Sequence, residues 1–229
     1  QPQPQPDDNS NKIETGAVLA NTRKDNRFSE ELKKLNGYNT NVITVDGVDI
    51  IIGLPGANVE GWMTTSVKEK GIQFEVCCGR YSDTRFGVNY SLDGYNSYLF
   101  YNGNPTQNMP TSGTATYSGD AIIAAADVRG LDQLPYYQGK SNFNVDFGNK
   151  TLKGTLDIPT DNNASSVTVG INAQIKGNTF AGNTESATLP DGKVEGKFYG
   201  DNAKEMAGLA QVKDKNSSPW SAAFGAAKQ

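Results

Sequence analysis

Apolar and polar residues alternate along most of the second half of the chain. Between Asn142 and Ile158, Phe143, Val145 and Phe147 alternate with Asn144 and Asp146, and Leu152, Leu156 and Ile158 resume the alternation beyond Gly148-Asn149. A period of two marks a half-buried strand, and Gly-Asn supplies the positive φ of a two-residue hairpin, so two strands are predicted with their register. The pattern recurs at Val167, Val169, Ile171, Ala173 and Ile175, with Gly177-Asn178 as the turn and Phe180 opening the return strand. Further runs lie at Val194 to Phe198, Met206 to Val212 and Trp220 to Ala226. Thr114 to Tyr117 and Ala121 to Val128 add strands joined by a turn-like Ser118-Gly119-Asp120. Residues 113–229 therefore predict about eight strands, the number at which a small barrel fills its own interior with side chains. Glycines within these runs fit tight curvature better than a flat sheet.

A second β region runs from Asn41 to Asn102. Val42 to Val45 and Val48 to Ile52 flank Asp46-Gly47, a hairpin signal. Ile72, Phe74, Val76 and Cys78 alternate, as do Phe86, Val88 and Tyr90, and Tyr95 to Tyr101 closes the set after Asp93-Gly94. The expected architecture is all-β, with a smaller N-terminal sheet docked on an eight-stranded antiparallel barrel. Asn102 to Ser112, rich in Asn, Pro and Gly, reads as the boundary, giving domains at 28–103 and 104–229. Upstream, Gln1 to Lys12 alternates Gln with Pro before a polar run, a composition that stays extended in solvent, and residues 1–27 are read as a flexible tether. A short helix is expected over Phe28 to Asn36, with Ser29 as N-cap, Leu32 and Leu35 on one face and Gly37 as the stop.

Composition narrows the chemistry. The 229 residues carry a net charge of −4 and no histidine. An acidic chain without clustered Lys and Arg is a poor partner for nucleic acid, and no stretch approaches a membrane-spanning helix. Lack of histidine removes Ser-His and Cys-His nucleophile pairs, the commonest general base and most catalytic zinc sites. Asp127, Asp132, Asp146 and Asp157 lie in or beside barrel strands without a spacing that pairs them, and Asp161-Asn162-Asn163 lacks the remaining ligands of a calcium loop. No enzyme activity, metal or cofactor is expected.

The two cysteines are adjacent, Cys77-Cys78. Neighbouring Cα atoms across a trans peptide lie about 3.8 Å apart, short of the usual disulfide range of roughly 4.4 to 6.8 Å. A vicinal disulfide, two reduced thiols with Cys78 in the core, and a redox pair are all open; an extracellular address favours the first.

Candidate partner-binding residues follow from the placing of aromatics. Tyr81, Tyr95, Tyr98 and Tyr101 crowd the N-terminal sheet together with Arg85, and alternation puts Tyr95 and Tyr101 on one face and Tyr98 on the other. Some of this set is expected to look outward, where Tyr and Arg make interface hot spots. Two loops add Trp62 and Met63, and Tyr136 and Tyr137 after Pro135, because apolar loop tips have less structural reason than apolar strands.

Several segments carry a resemblance: Pro110 to Gly119, Phe143 to Gly154, Ile171 to Phe180, Gly196 to Gly208 and Ala223 to Ala226. In this order they resemble the C-terminal barrel of bacterial surface lipoproteins of the transferrin-binding protein B and factor H-binding protein kind, exported by the Slam route. The resemblance implies a handle domain on an eight-stranded barrel, anchored to the outer membrane through a lipidated cysteine before a tether. That cysteine is not in this chain, so the anchor is inferred. Cys77-Cys78-Gly79 followed by Thr84 to Gly87 also resembles smaller Slam-dependent lipoproteins and secreted haemophores. Family members bind transferrin, complement regulators, haem or haemoglobin. The expectation drawn is a monomeric surface lipoprotein that recruits a host serum protein, a complement regulator first, for immune evasion. Acquisition of haem, a haem protein or another iron source is the alternative, although the histidine that haemophilin-type binding uses has no counterpart here, leaving Tyr or Met ligation.

Overall fold

The computed structural model describes residues 13–229, and the Gln-Pro run lies outside them. The first half contributes strands β1 (Gly16–Lys24), β2 (Arg27–Leu35), β3 (Val42–Val45), β4 (Val48–Ile51), β5 (Met63–Val67), β6 (Ile72–Cys77), β7 (Thr84–Ser91) and β8 (Ser97–Gly103). The second half contributes β9 (Thr114–Ala125), β10 (Tyr137–Asp146), β11 (Thr151–Pro159), β12 (Ser166–Lys176), β13 (Thr179–Glu185), β14 (Gly192–Tyr199), β15 (Glu205–Val212) and β16 (Trp220–Lys228). These last eight close into an antiparallel barrel in the order β10 to β16 and then β9. The handle is a six-stranded sheet ordered β2-β1-β8-β7-β6-β5, and β3-β4 is a separate hairpin.

The sequence misreads four local features, each for a physical reason. Residues 28–36 are strand, not helix: Asp25 and Asn26 take left-handed φ of 53° and 63° and close a hairpin that pairs β1 with β2 from Lys24↔Arg27 to Gly16↔Leu35. A continuous ladder outweighs one N-cap signal and two helically spaced leucines. The assigned tether, residues 1–27, reaches too far, because Gly16 to Ala20 is a buried run between β2 and β8, as expected of a strand covered on both faces. Ser118-Gly119-Asp120 is not a turn; pairing of β9 with β10 continues through all three. The link after Asp146 has four residues, and its positive φ falls on Lys150 (58°) rather than on Gly148-Asn149. The Gly177-Asn178 turn is as read, with Gly177 at φ 61° between Lys176 and Thr179.

Three apolar cores result. Inside the barrel, Phe143, Phe180, Phe198 and Phe224 form a connected set of rings, with centroids 5.3 Å apart for Phe143 and Phe224 and 5.7 Å for Phe180 and Phe198. Burying one such ring is worth about 1.5–3 kcal/mol. The second core is the seam, where Phe86, Val88, Leu99 and Tyr101 of the handle meet Ile122, Ala207, Leu209 and Ala223 on the outside of the barrel. Phe86 lies where a Cβ on Gly225 would sit, so β7 and β16 approach closely only because that position is glycine. The third core covers the opposite face of the handle, packing Val18, Phe74 and Phe100 against Ile43 and Val45 of the small hairpin and Ile52 just beyond it. Both faces of the handle's centre are thus covered.

Candidate partner-binding surface

Double coverage decides the fate of the aromatics. At the seam Tyr81 is buried and donates to Asp120 at 2.9 Å, and Tyr101 is buried and donates to Glu195 at 2.9 Å. Asp120, 2% exposed, also pairs with Arg80 and with Lys140. Glu205 receives the Ser82 and Asp83 amides at 3.1 and 3.0 Å and the Thr84 hydroxyl at 2.8 Å. Glu75 receives Gln138 Nε2 at 3.0 Å, and burial pushes its carboxyl above the ordinary value despite the hydrogen bonds from Gln138 and Tyr90. Handle and barrel are therefore joined by buried carboxylates that phenols, amides and cations satisfy.

The candidate residues divide accordingly. Tyr81, Tyr101 and Tyr137 do not face outward; Tyr137 is 6% exposed, accepts the Gln133 and Leu134 amides and donates to Asp161. Trp62 packs edge-on against Phe86 at 5.8 Å, and Tyr136 stacks on Tyr90 at 5.1 Å, so both loops reach back onto the seam. Met63 and Tyr98 lie half-buried at the border of the third core. Arg85 is half-buried, its Nη1 donating to the carbonyls of Tyr81 and Thr84. Cys77 and Cys78 form a vicinal disulfide and are buried. They lie near Asp120, yet the sulfurs are bonded to one another and Asp120 is neutralised by two cations, a donor set that does not suit a metal ion.

Tyr95 alone among the candidates is largely open, at 47% exposure. It belongs to a group at the far end of the handle. Arg23 lies over the Tyr95 ring at 4.5 Å and over the Phe28 ring at 5.2 Å, and Phe28 is 74% exposed. The Arg23 amide donates to Asn96 Oδ1 and its guanidinium to Asn26 Oδ1, both at 3.1 Å, which fixes the β1-β2 hairpin against the β7-β8 link. Leu92, in that link, is also exposed, and Lys24 and Arg27 flank the hairpin turn without an ion pair among the described residues. Cation–π contacts hold an arginine and two aromatic rings outside any core, in the composition that dominates binding hot spots. Arg23 and Phe28 are missing from the candidates because one lay in the supposed tether and the other in the supposed helix. Asp-Asn flanked by Lys24 and Arg27 was the available signal, since a type I′ turn there makes Arg23 and Phe28 a cross-strand pair.

Residues 109–228 match the family of C-lobe and N-lobe beta barrels of Tf-binding protein B. The chain belongs to this family. An uncharacterised Haemophilus influenzae protein is 38% identical to this family member, over 95% of this chain and 76% of the other. Transferrin-binding protein B of H. influenzae is 27% identical over 71% of this chain and 31% of its own length. The neisserial heparin binding antigen of Neisseria meningitidis is 32% identical over 57% of this chain and 25% of its own. Among solved structures, transferrin-binding protein B of Haemophilus parasuis superposes with a TM-score of 0.66 at 25% identity, over 93% of this chain and 45% of that one. A structure described as a surface lipoprotein is covered in full at a TM-score of 0.61 and 19% identity, a likeness of fold alone. The chain thus spans less than half the length of the H. influenzae and H. parasuis transferrin-binding proteins just described. The barrel, the handle and their order agree with the resemblance drawn from the sequence.

Proposed function

We propose that this chain is the display portion of an outer-membrane surface lipoprotein that recruits a host serum protein, a complement regulator in the first place, to the bacterial surface for immune evasion. No chemical step is required of it. The barrel and seam present the tip of the handle, and the captured protein performs the chemistry. The observation that carries the reading is the exposed Phe28 and Tyr95 rings about the half-buried Arg23, in a molecule whose other candidate aromatics are largely used in its own packing. The resemblance to factor H-binding proteins drawn from the sequence is what places a complement regulator first.

The second reading is capture of an iron source, transferrin or a haem protein, and the similarity to transferrin-binding protein B favours it. Immobilised chain exposed to serum, followed by mass spectrometry of what is retained, separates the two. Retention of a complement regulator, lost in a Phe28→Ser/Tyr95→Ser variant, supports the first reading. Retention of transferrin or a haem protein instead, or a Soret shift on titration with haem, supports the second and removes the first.

A further inference from the structure

Beside the seam, and apart from the tip, a cleft of 420 Å³ opens between the loop Leu54 to Gly61 and the segment Cys78 to Arg85. That is the scale of a small-ligand site. Its walls divide by chemistry. Val59 and the half-buried Met63 give it apolar surface above the buried Ile52 and Val76, and Arg85 is the cation in its lining. The loop is strapped in place, with the Gly79 amide donating to the Val59 carbonyl at 2.7 Å and the Arg80 amide to Glu60 at 3.3 Å. The walls therefore have a defined separation.

Arg85 is a half-buried cation with no carboxylate in ion-pair range among the described residues. The acids near it are engaged elsewhere: Asp83 by Lys204 at 2.6 Å and Asn104 at 2.9 Å, Glu205 by the Ser82 and Asp83 amides and the Thr84 hydroxyl. Only Nη1 of its guanidinium has acceptors, the Tyr81 and Thr84 carbonyls, which leaves Nε and Nη2 in a fork suited to a carboxylate. Two more polar atoms without partners belong to residues outside the cleft lining. Asn102 is the cross-strand partner of Arg85 and is fully buried, yet its Oδ1 has no partner. Its Nδ2 holds the Gly37 carbonyl at 2.8 Å, which positions Tyr38, whose buried Oη is also unpartnered. Burial pushes the Tyr38 phenol up to about 12 although the Arg85 charge pulls it down. Buried polar groups without partners are uncommon, but these two are closed to solvent outside the lining, so the case for a ligand rests on the uncompensated Arg85 in the cleft.

We infer that this cleft binds a carboxylate carried on a short apolar body, with Arg85 holding the carboxylate and Val59 and Met63 taking the apolar part. This chemistry belongs both to a free N-acyl aliphatic amino acid and to the C-terminal residue of a peptide. The inference is independent of serum-protein capture at the tip.

The test titrates the full chain with N-acetylleucine, followed by amide chemical shifts, beside N-acetylleucinamide, which lacks the charge. Expected are saturable shifts at Val59, Gly79 and Arg85 with the acid, and binding about tenfold or more weaker with the amide, the loss of one charge-assisted pair. Arg85→Gln abolishes the response and Arg85→Lys leaves part of it, with the thermal unfolding midpoint as a check on folding. A peptide ending in Leu that binds more tightly than N-acetylleucine identifies a chain terminus as the ligand; equal affinity identifies the free acid. Absence of saturable shifts at millimolar ligand, equal binding of acid and amide, or binding unchanged in Arg85→Gln overturns the site. Where Arg85→Gln does not fold, the acid-amide comparison and Arg85→Lys decide.

Discussion

The seam and the tip of the handle use the same residue types to opposite ends. At the seam, Tyr81 and Tyr101 lie under the barrel with their hydroxyls on Asp120 and Glu195, and Arg80 closes on Asp120. At the tip, Arg23 lies over Phe28 and Tyr95, rings that remain largely in solvent. Tyrosine suits both places because it joins a large apolar face to one polar atom. The difference is whether a carboxylate waits on the facing surface. Where the barrel supplies one, the tyrosine is structural; where the sheet runs past the barrel, the aromatic surface is left for another molecule.

The largest effect that tests this contrast is loss of the ring at the centre of the seam. Phe86 is fully buried against Trp62, Tyr81 and the Gly225 backbone. Phe86→Ala is expected to cost about 3–5 kcal/mol in chemical denaturation while leaving serum-protein capture intact at temperatures where the variant stays folded. A cost below about 1 kcal/mol would mean that handle and barrel do not share a cooperative core. The reverse pattern is expected at the tip. Arg23→Ala/Phe28→Ser/Tyr95→Ser should weaken capture by at least about 2 kcal/mol, roughly 30-fold, with a stability change under about 1 kcal/mol. Retained capture would move the partner site off the tip.

How much of this was readable in the sequence also follows the contrast. The barrel was legible because its strands alternate cleanly: Val167 to Ile175 sends every second side chain into one interior, and Gly177 sets the turn. The handle was less so. Its centre is covered on both faces, so Phe74, Val76 and Phe86 to Val88 carry little information about which side meets the barrel. The handle links of Asp120 and Glu205 gave no signal, since Tyr81 lies 39 positions from the first and Ser82 to Thr84 lie 121 to 123 from the second. Tyr95 was found by composition, whereas Arg23 and Phe28 were hidden by the misplaced tether and helix.

A smaller effect separates the two tyrosine roles. Tyr101→Phe keeps the ring and removes the hydroxyl that donates to Glu195, so a loss of about 1 kcal/mol is expected. Tyr95→Phe removes a hydroxyl from a ring that is 47% exposed, and its stability should be unchanged within about 0.5 kcal/mol. Equal losses in thermal unfolding would erase the distinction between seam and tip.

The smallest effect concerns Glu75, which is 8% exposed at the seam beside Gln138 and Tyr90. Burial raises its carboxyl above the ordinary 4.5, the two hydrogen bonds offsetting only part of that. A raised carboxyl holds its proton more tightly in the folded state, so its contribution to stability is complete below the ordinary value and is lost as pH rises through the folded one. Asp83 runs the other way in a different window. Burial raises its carboxyl, but hydrogen bonds from Lys204, Asn104 and Ser82 prevail and set it below 3.8, so its contribution is lost only as pH falls through that lower value. Glu75→Gln should therefore gain stability over the native chain at pH 7 and much less at pH 4.5, with the slope below pH 4 unchanged. Thermal midpoints at the three pH values check this. A loss at pH 7 would show that the ionised carboxylate, like Asp120, is a net link between handle and barrel rather than a cost that the seam carries.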